Sequence, residues 1–258
     1  MNWHLTIIIL SAVAIGGLAT WGVIYYLTYA LRSQVLGRTV WCGRTDQNCV
    51  ALTFDDGPAS ETMDLLDILR KENVPATFFL IGQETEKYPE IARRIVLEKH
   101  GIGNHSYSHP IYLFCSARKI KRELRMAQQA IEQVTGVLPK LSRPPCGVRA
   151  QAYFAETKAL NLQTIQWDVT GFDWKKRTAK QIAAAVVRDA RAGSIILLHD
   201  GDSEKKRDRR QTVEAVPLIL EGLRAKNLRV VPLEQMLAAT EESTKKDHKY
   251  FETQIKGA

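Results

Sequence analysis

The sequence lacks charged side chains over one long stretch near its beginning. From Leu5 to Leu31 it contains no Asp, Glu, Lys or Arg. This stretch exceeds the roughly 20 apolar residues that cross a bilayer and the roughly 7–15 that form the core of a cleaved signal peptide. No Lys or Arg precedes it, and Thr28-Tyr29-Ala30 is a poor cleavage site. The pattern predicts an uncleaved membrane anchor at residues 1–31, with a removed signal peptide or a buried core helix as alternatives.

Other features that the sequence lacks argue against several classes of protein. None of the four cysteines forms a Cys-x-x-Cys pair, which argues against a zinc knuckle or a thioredoxin-like site. No segment of 20–50 residues repeats, which argues against a solenoid. The net charge is +8, but no nucleic-acid motif accompanies it. We therefore expect no nucleic-acid partner, and the charge suits an anionic membrane surface or wall polymer. Cys42 and Cys49 lie close enough in sequence to form a disulfide, with two thiols as the alternative.

What the sequence does contain is a regular alternation of short apolar runs and helical patterns. The predicted strands are Val50–Phe54, Ala76–Ile81, Gly101–Asn104, Leu141–Arg143, Thr164–Trp167, Ser194–Leu198 and Leu228–Val231. The predicted helices are Met63–Glu72, one opening at Pro89, Ala117–Val134, Ala150–Leu160, Ala179–Ala190 and Thr212–Lys226. About seven strand–helix units predict an α/β fold with a parallel sheet or a (β/α) barrel. We divide the chain into the anchor, a connector at 32–48, a catalytic domain at 49–240 and a polar tail at 241–258.

Polar residues recur where these predicted strands end. They are Asp55, Asp56, His105, His109, Arg143, Asp168, Asp173 and His199. In a (β/α) barrel the carboxyl ends of the strands form one rim, and this rim carries the active site. We therefore expect these side chains to form a single site.

Two short motifs suggest metal-assisted hydrolysis. His105 and His109 in "HSYSH" can face the same way, and a pair of imidazoles with one carboxylate from Asp55-Asp56 makes a metal site with open positions. The second carboxylate can then take a proton from a water that the metal activates. An Asx-stabilised turn would explain the Asp-Asp-Gly-Pro segment but not the two histidines.

The sequence resembles the polysaccharide (NodB-type) deacetylases, also called carbohydrate esterase family 4. The resemblance covers about Cys49 to Ala238 and depends on five motifs in order: "TFDDGP", "HSYSH", "RPPCG", "DVTGFDW" and "LLH". The first two are highly specific together, and the other three are weak alone. The resemblance implies a distorted (β/α)7-type barrel, here preceded by one transmembrane helix, and an enzyme that hydrolyses carbon–nitrogen amide bonds other than peptide bonds.

The resemblance also implies a role for each matching residue. The metal ligands would be Asp56, His105 and His109. The catalytic group would comprise Asp55 as general base, Arg143 to orient it and keep it ionised, His199 as general acid, and Asp173 to tether His199. The substrate-binding group would comprise Trp174, Leu197, Pro145 and Cys146. The implied cofactor is a divalent metal, with zinc first and cobalt, nickel or manganese as alternatives.

The sequence departs from the family pattern at two positions. Cys146 stands where the family usually has an aromatic residue, so a substrate-binding wall is reshaped, and we expect this cysteine mainly to pack. Thr170 stands where the fourth motif often has an Asp. Asp168 therefore remains an alternative to Asp173 as the residue that supports His199.

These observations predict an enzyme that removes the N-acetyl group from an N-acetylated sugar in a polysaccharide or cell-wall glycan. Two alternatives stay open: a deacylase of a lipid-linked or precursor sugar at the cytoplasmic membrane face, and an inactive carbohydrate-binding homologue. Arg32, Arg38 and Arg44 follow the anchor and favour a cytoplasmic domain. The resemblance and a Cys42–Cys49 disulfide favour an extracytoplasmic domain, which we expect. The sequence does not predict an oligomeric state.

Overall fold

The computed structural model describes residues 3–43, 47–204 and 206–240, and it begins with one long exposed helix. This helix, α1, spans Trp3–Thr28. Its segment Thr6–Thr28 has a mean hydropathy of 2.2, and no residue of its most apolar 18-residue window is buried against the rest of the protein. At 1.5 Å per residue α1 is about 39 Å long, which exceeds the roughly 30 Å of a bilayer core. By length and composition α1 can therefore cross a membrane.

The rest of the described chain forms one parallel sheet with helices packed against it. The strands are β1 (Cys49–Asp55), β2 (Thr77–Leu80), β3 (Gly101–Asn104), β4 (Leu141–Ser142), β5 (Gln163–Thr164), β6 (Val169–Thr170), β7 (Ile195–His199) and β8 (Arg229–Val230). Their order is β5-β4-β3-β2-β1-β7-β6, and β8 pairs with β1. The sheet curls without closing between β5 and β6. Val40 and Cys42 bridge this gap by pairing with Ile165 and Ser194.

The helices cover the outer face of the sheet. They are α2 (Glu61–Glu72), α3 (Gly82–Lys87), α4 (Pro89–Leu97), α5 (Ala117–Thr135), α6 (Gln151–Ala159), α7 (Ala179–Asp189) and α8 (Arg210–Ala225). Every residue of β1 is buried, as parallel strands covered on both faces require. The main core joins β1, β2 and β7 to the apolar faces of α2, α4, α7 and α8. The packed core fixes the strands, and the strands position the loops at their carboxyl ends.

The predicted distorted (β/α)7-type barrel with one preceding apolar helix is confirmed. Each predicted strand and helix is present. The strand Gly101–Asn104 has the predicted ends, and most of the others have shifted ends. The sequence analysis missed β6, which has only two residues, and α3, whose sequence GQETEK has no apolar stripe. The division into domains stays a prediction, and the proposed tail at 241–258 lies outside the described residues. The described residues contain no disulfide between Cys42 and Cys49.

Candidate active site

Five of the eight polar side chains predicted from the strand ends line one cavity of about 420 Å³. Its lining includes Asp55, Asp56, His105, His109, Cys146, Trp167, Trp174, Leu197 and His199. They come from the carboxyl ends of β1 and β7 and from the loops after β3, β4, β5 and β6. The parallel sheet thus brings together residues that lie up to about 140 positions apart in sequence, as expected for this rim.

Three of these residues form a cluster that could hold a metal ion. One ligand atom from each of Asp56, His105 and His109 lies within 4.8 Å of the others. Asp56 Oδ1 lies 3.4 Å from His105 Nε2 and 3.1 Å from His109 Nε2. This oxygen is buried and has no hydrogen bond, and buried carboxylate oxygens are normally satisfied. Two imidazoles, a carboxylate and an unsatisfied oxygen facing a cavity fit a divalent cation.

The charges around the cluster of Asp56, His105 and His109 favour a positive charge within it. Although burial opposes ionisation, the neighbouring His105 and His109 hold the pKa of Asp56 well below its ordinary value. Burial also opposes protonation of His105, yet the carboxylates of Asp55 and Asp56 raise its pKa. Both shifts express the same attraction between buried carboxylates and a positive charge on the imidazoles beside them.

The two adjacent carboxylates reach the same cavity because the backbone changes direction between them. Asp55 is the last residue of β1, and neighbouring side chains in a strand point to opposite faces. Asp56 leaves the strand conformation with φ at 72°, an unusual value for a residue other than glycine. Asp56 therefore turns towards the histidines while Asp55 remains beside them, with Oδ2 3.7 Å from His105 Nε2.

A buried arginine holds Asp55. Arg143 Nη1 donates to Asp55 Oδ1 at 2.6 Å and to Thr53 Oγ1 at 2.9 Å. The guanidinium also lies over the ring of Phe79, 4.0 Å from its centroid. Arg143 is fully buried, so its ion pair with Asp55 is shielded from water. The pair fixes one carboxylate oxygen and leaves the other facing the cavity.

The opposite wall carries a second buried pair. His199 Nδ1 lies 2.9 Å from Asp173 Oδ1, and the backbone N–H of His199 donates to Asp173 Oδ2 at 2.8 Å. Burial lowers the pKa of His199, but Asp173 outweighs it and raises this pKa to about 9. His199 is therefore an imidazolium near neutral pH. The Trp174 ring stands nearly perpendicular to the His199 ring at 5.5 Å.

The structure separates the two candidates for support of His199. Asp173 contacts the histidine, whereas Asp168 accepts from the backbone N–H of Ile195 at 2.9 Å and pairs with Arg191 at 2.8 Å. The expectation that Asp168 lies on the active rim is wrong. Because β6 begins at Val169, Asp168 lies at the amino end of this strand, away from the cavity.

The "RPPCG" segment also differs from expectation in two details. Pro145 is buried and does not line the cavity, whereas Cys146 is exposed and does. The expectation that Cys146 mainly packs is therefore wrong. Its backbone has φ at 55°, which turns it out of the packed loop. Trp167, which no motif singled out, supplies an aromatic wall nearby.

Sequence reasoning also missed the residues that support the site. Glu123 of α5 accepts from the backbone N–H groups of Tyr107 and Ser108, at 3.2 and 2.8 Å, and so holds the loop between the two histidines. Arg209 donates to the carbonyls of Gly201 and Asp173, at 2.6 and 3.2 Å. Neither Glu123 nor Arg209 belongs to a motif with a chemical pattern. The sequence therefore offered no signal for them.

Comparisons with known proteins agree with this geometry. The family model described as polysaccharide deacetylase matches residues 43–165. The chain is 37% identical to a peptidoglycan-N-acetylglucosamine deacetylase of Bacillus cereus, over 75% of this chain and 70% of the relative. It is 35% identical to a chitooligosaccharide deacetylase of Bradyrhizobium sp., over 72% of this chain and 90% of the relative.

A solved structure shares the fold. The Bc1960 peptidoglycan N-acetylglucosamine deacetylase, in complex with 4-naphthalen-1-yl-N-oxidanyl-benzamide, superposes with a TM-score of 0.73 at 34% identity. The match covers 78% of this chain and 92% of the other. The chain belongs to the polysaccharide deacetylase family, also known as carbohydrate esterase family 4. It is thus an enzyme of the class that hydrolyses amide carbon–nitrogen bonds other than peptide bonds.

Proposed function

We propose that this protein is a membrane-anchored, metal-dependent deacetylase that removes the N-acetyl group from N-acetylglucosamine units of a glycan. The single observation that carries the proposal is the cluster of Asp56, His105 and His109 with Asp55 beside it and His199 across the same cavity. The named relatives act on peptidoglycan N-acetylglucosamine and on chitooligosaccharides, which supports this choice of sugar.

Asp56, His105 and His109 would hold the metal. Zinc suits two imidazoles and a carboxylate with open positions, and cobalt, nickel or manganese can occupy similar sites. A bound divalent ion would polarise the acetyl carbonyl and acidify a water.

The chain's own residues would handle the protons and the substrate. Asp55, fixed by Arg143, takes a proton from the attacking water. His199, held as an imidazolium by Asp173, gives a proton to the departing nitrogen as the amide carbon–nitrogen bond breaks. The side chains of Leu197, Trp174 and Cys146 line the space left for the acetyl group and the sugar.

The position of the protein in the cell is part of the proposal. The exposed apolar helix α1 supports a single-pass anchor, and the wall-related substrates of the relatives support an extracytoplasmic domain. A carboxyl-terminal fusion to a reporter that is active only in the cytoplasm tests on which side of the membrane the catalytic domain lies. An active fusion, together with a domain that protease cannot reach in intact cells, would overturn it.

The activity is tested with full-length protein in detergent. We expect acetate release from chitotetraose or peptidoglycan fragments, its loss with a chelator, and its return with zinc. Absence of acetate release from metal-loaded protein on all such substrates would contradict the proposal and favour a carbohydrate-binding homologue without turnover.

A further inference from the structure

The end of α1 is fixed to the catalytic domain by one buried arginine. The Arg149 guanidinium donates to the carbonyls of Thr28, Ala30, Leu31 and Ser33, at 3.3, 2.6, 3.4 and 3.2 Å. The last carbonyls of a helix lack partners within the helix, and a cation there is favourable. Arg149 is 1% exposed. The apolar helix is therefore held directly against the domain, without a flexible spacer.

The loop that binds the end of α1 also forms a wall of the cavity. A Cβ atom on Gly147 would lie 2.8 Å from the Trp167 side chain and 3.3 Å from that of Leu31. Trp167 and Cys146 line the cavity, and Leu31 follows α1. A single layer of residues thus separates the end of the anchor from the active site. The cavity therefore lies close to the point at which α1 would leave the bilayer.

An exposed apolar turn lies on the same rim. In the loop that follows His109, Ile111 is 38% exposed, Leu113 is 37% exposed and Phe114 is 78% exposed. Tyr112 of this turn is buried and packs against Tyr153, with ring centroids 5.5 Å apart and the rings tilted by 35°. Tyr153 lies four positions after Arg149, in helix α6, which begins at Gln151. The apolar turn is therefore packed, through Tyr153, on the helix whose amino end follows Arg149.

The turn leads directly into an exposed basic segment. Arg118, Lys119, Lys121 and Arg122 lie in the first turns of α5, and all four are exposed. Exposed apolar side chains beside a group of basic ones are typical of surfaces that enter the interface of an anionic membrane. Basic residues near such a surface are attracted to its anionic lipids. The basic residues and the apolar turn therefore both favour contact with an anionic membrane.

We propose that residues 111–114 and the basic start of α5 rest on the bilayer that holds α1, so that the cavity opens at the membrane surface and takes an N-acetylated saccharide linked to a membrane lipid. Because Arg149 holds the catalytic domain directly at the end of α1, the cavity stays close to the membrane and cannot reach a distant polymer. A lipid-linked saccharide is presented where the cavity lies. The substrate part rests on the proposed deacetylase function, whereas the membrane contact does not.

The membrane contact is tested with the unmodified full-length chain in vesicles of phosphatidylglycerol and phosphatidylethanolamine. A trace of phospholipid with a photoactivatable diazirine in its acyl chain labels residues at the interface, and mass spectrometry locates them. We expect label in α1 and at residues 111–114. Leu97, 79% exposed at the opposite end of β3, is the internal reference and stays unlabelled. Label in α1 with none at 111–114 would overturn the membrane contact.

The substrate class is tested with Phe114→Asp and the matched variant Leu97→Asp. We expect Phe114→Asp to lose about tenfold or more in acetate release from a polyprenyl-diphosphate-linked N-acetylglucosamine saccharide in vesicles. Its rate on soluble chitotetraose in detergent stays within about twofold of the unmodified enzyme. Leu97→Asp keeps both rates. Equal vesicle rates for the two variants would overturn the proposal. An unmodified enzyme that deacetylates neither substrate overturns the proposed function, and the photolabelling still decides the membrane contact.

Discussion

The two walls of the cavity use the same kind of ion pair in opposite orientations. On the first wall Asp55 faces the cavity and the cation Arg143 lies behind it, with side chains 4% and 0% exposed. On the second wall the cation His199 faces the cavity and the carboxylate Asp173 lies behind it, with side chains 13% and 0% exposed. Each cavity-facing group is thus backed by a fully buried partner of the opposite charge.

The difference shows how one fold can hold a carboxylate and an imidazolium, the proposed base and acid, on facing walls of one cavity. The buried guanidinium of Arg143 fixes the orientation of the Asp55 carboxylate. The buried carboxylate of Asp173 instead favours the imidazolium form of His199, which can give a proton. Single substitutions can disrupt each wall separately.

The largest loss of activity should come from removing the metal, because the proposed roles of both walls depend on it. Asp56→Asn keeps the shape of the side chain but removes a negative ligand, so we expect weaker zinc binding and activity near background. Metal analysis and acetate release measure the two effects. Full activity in exhaustively metal-free protein would contradict the metal requirement.

Breaking the first wall at Asp55 should separate the two adjacent carboxylates. We expect Asp55→Asn to retain bound zinc and to lose turnover towards the upper end of the roughly 10²–10⁴-fold range for a positioned base. Asp56→Asn is the matched control, because it makes the same chemical change one residue away. Identical metal content and identical activity in the two variants would show that their assigned roles are wrong.

Breaking the second wall at His199 should leave the metal in place. We expect His199→Ala to lose about 10²–10⁴-fold in turnover, because the leaving nitrogen then lacks its acid. Zinc content should stay that of the unmodified enzyme, since the ring of His199 is not part of the cluster. Turnover equal to that of the unmodified enzyme would remove His199 from the mechanism.

The smallest and most specific effect should come from Asp173→Asn. His199 has its pKa raised to about 9, so the acid is available below pH 9 and is lost as pH rises through that value. Without Asp173 the pKa should fall towards its ordinary 6.5, which lowers turnover roughly 10–100-fold at pH 8.5 and less than about twofold at pH 6. The pH profile of kcat measures this shift.

Asp168→Asn is the matched control for that profile. Asp168 holds the amino end of β7 through Ile195 and Arg191, so its loss should lower thermal stability and leave the alkaline limb near pH 9. An alkaline limb that moves equally in the Asp168 and Asp173 variants would show that the contact between Asp173 and His199 does not set it.

Much of the fold could be predicted because its signals are local. The apolar runs of the buried strands and the 3.6-residue period of α5 can be read in short windows. The elements that were missed have no such window. β6 spans only Val169–Thr170 and depends on pairing with β7, while α3 has few apolar residues. The error on Asp168 follows from the missed strand, since its position relative to β6 decides which end of the sheet it occupies.

The residues of the site also fall into a group that the sequence predicts and a group that it does not. Asp55, Asp56, His105, His109 and His199 were predicted because their types and spacing carry chemistry. Glu123 and Arg209 were not, because their effect depends on backbone groups that only the folded chain places near them. The exposure of Cys146 and the burial of Pro145 also depend on how the loop packs.

The sequence by itself determined that α1 is long and apolar enough to cross a membrane. It also determined the alternation of strands and helices and the presence of a carboxylate pair and a histidine pair. These follow from composition and local periodicity. Only the tertiary structure decided that Arg143 backs Asp55 and that Asp173 rather than Asp168 backs His199. It also decided that Arg149 fixes the end of α1 beside the cavity. Each of these contacts joins residues from 26 to 121 positions apart, and packing across the curled sheet, not local sequence, brings such residues together.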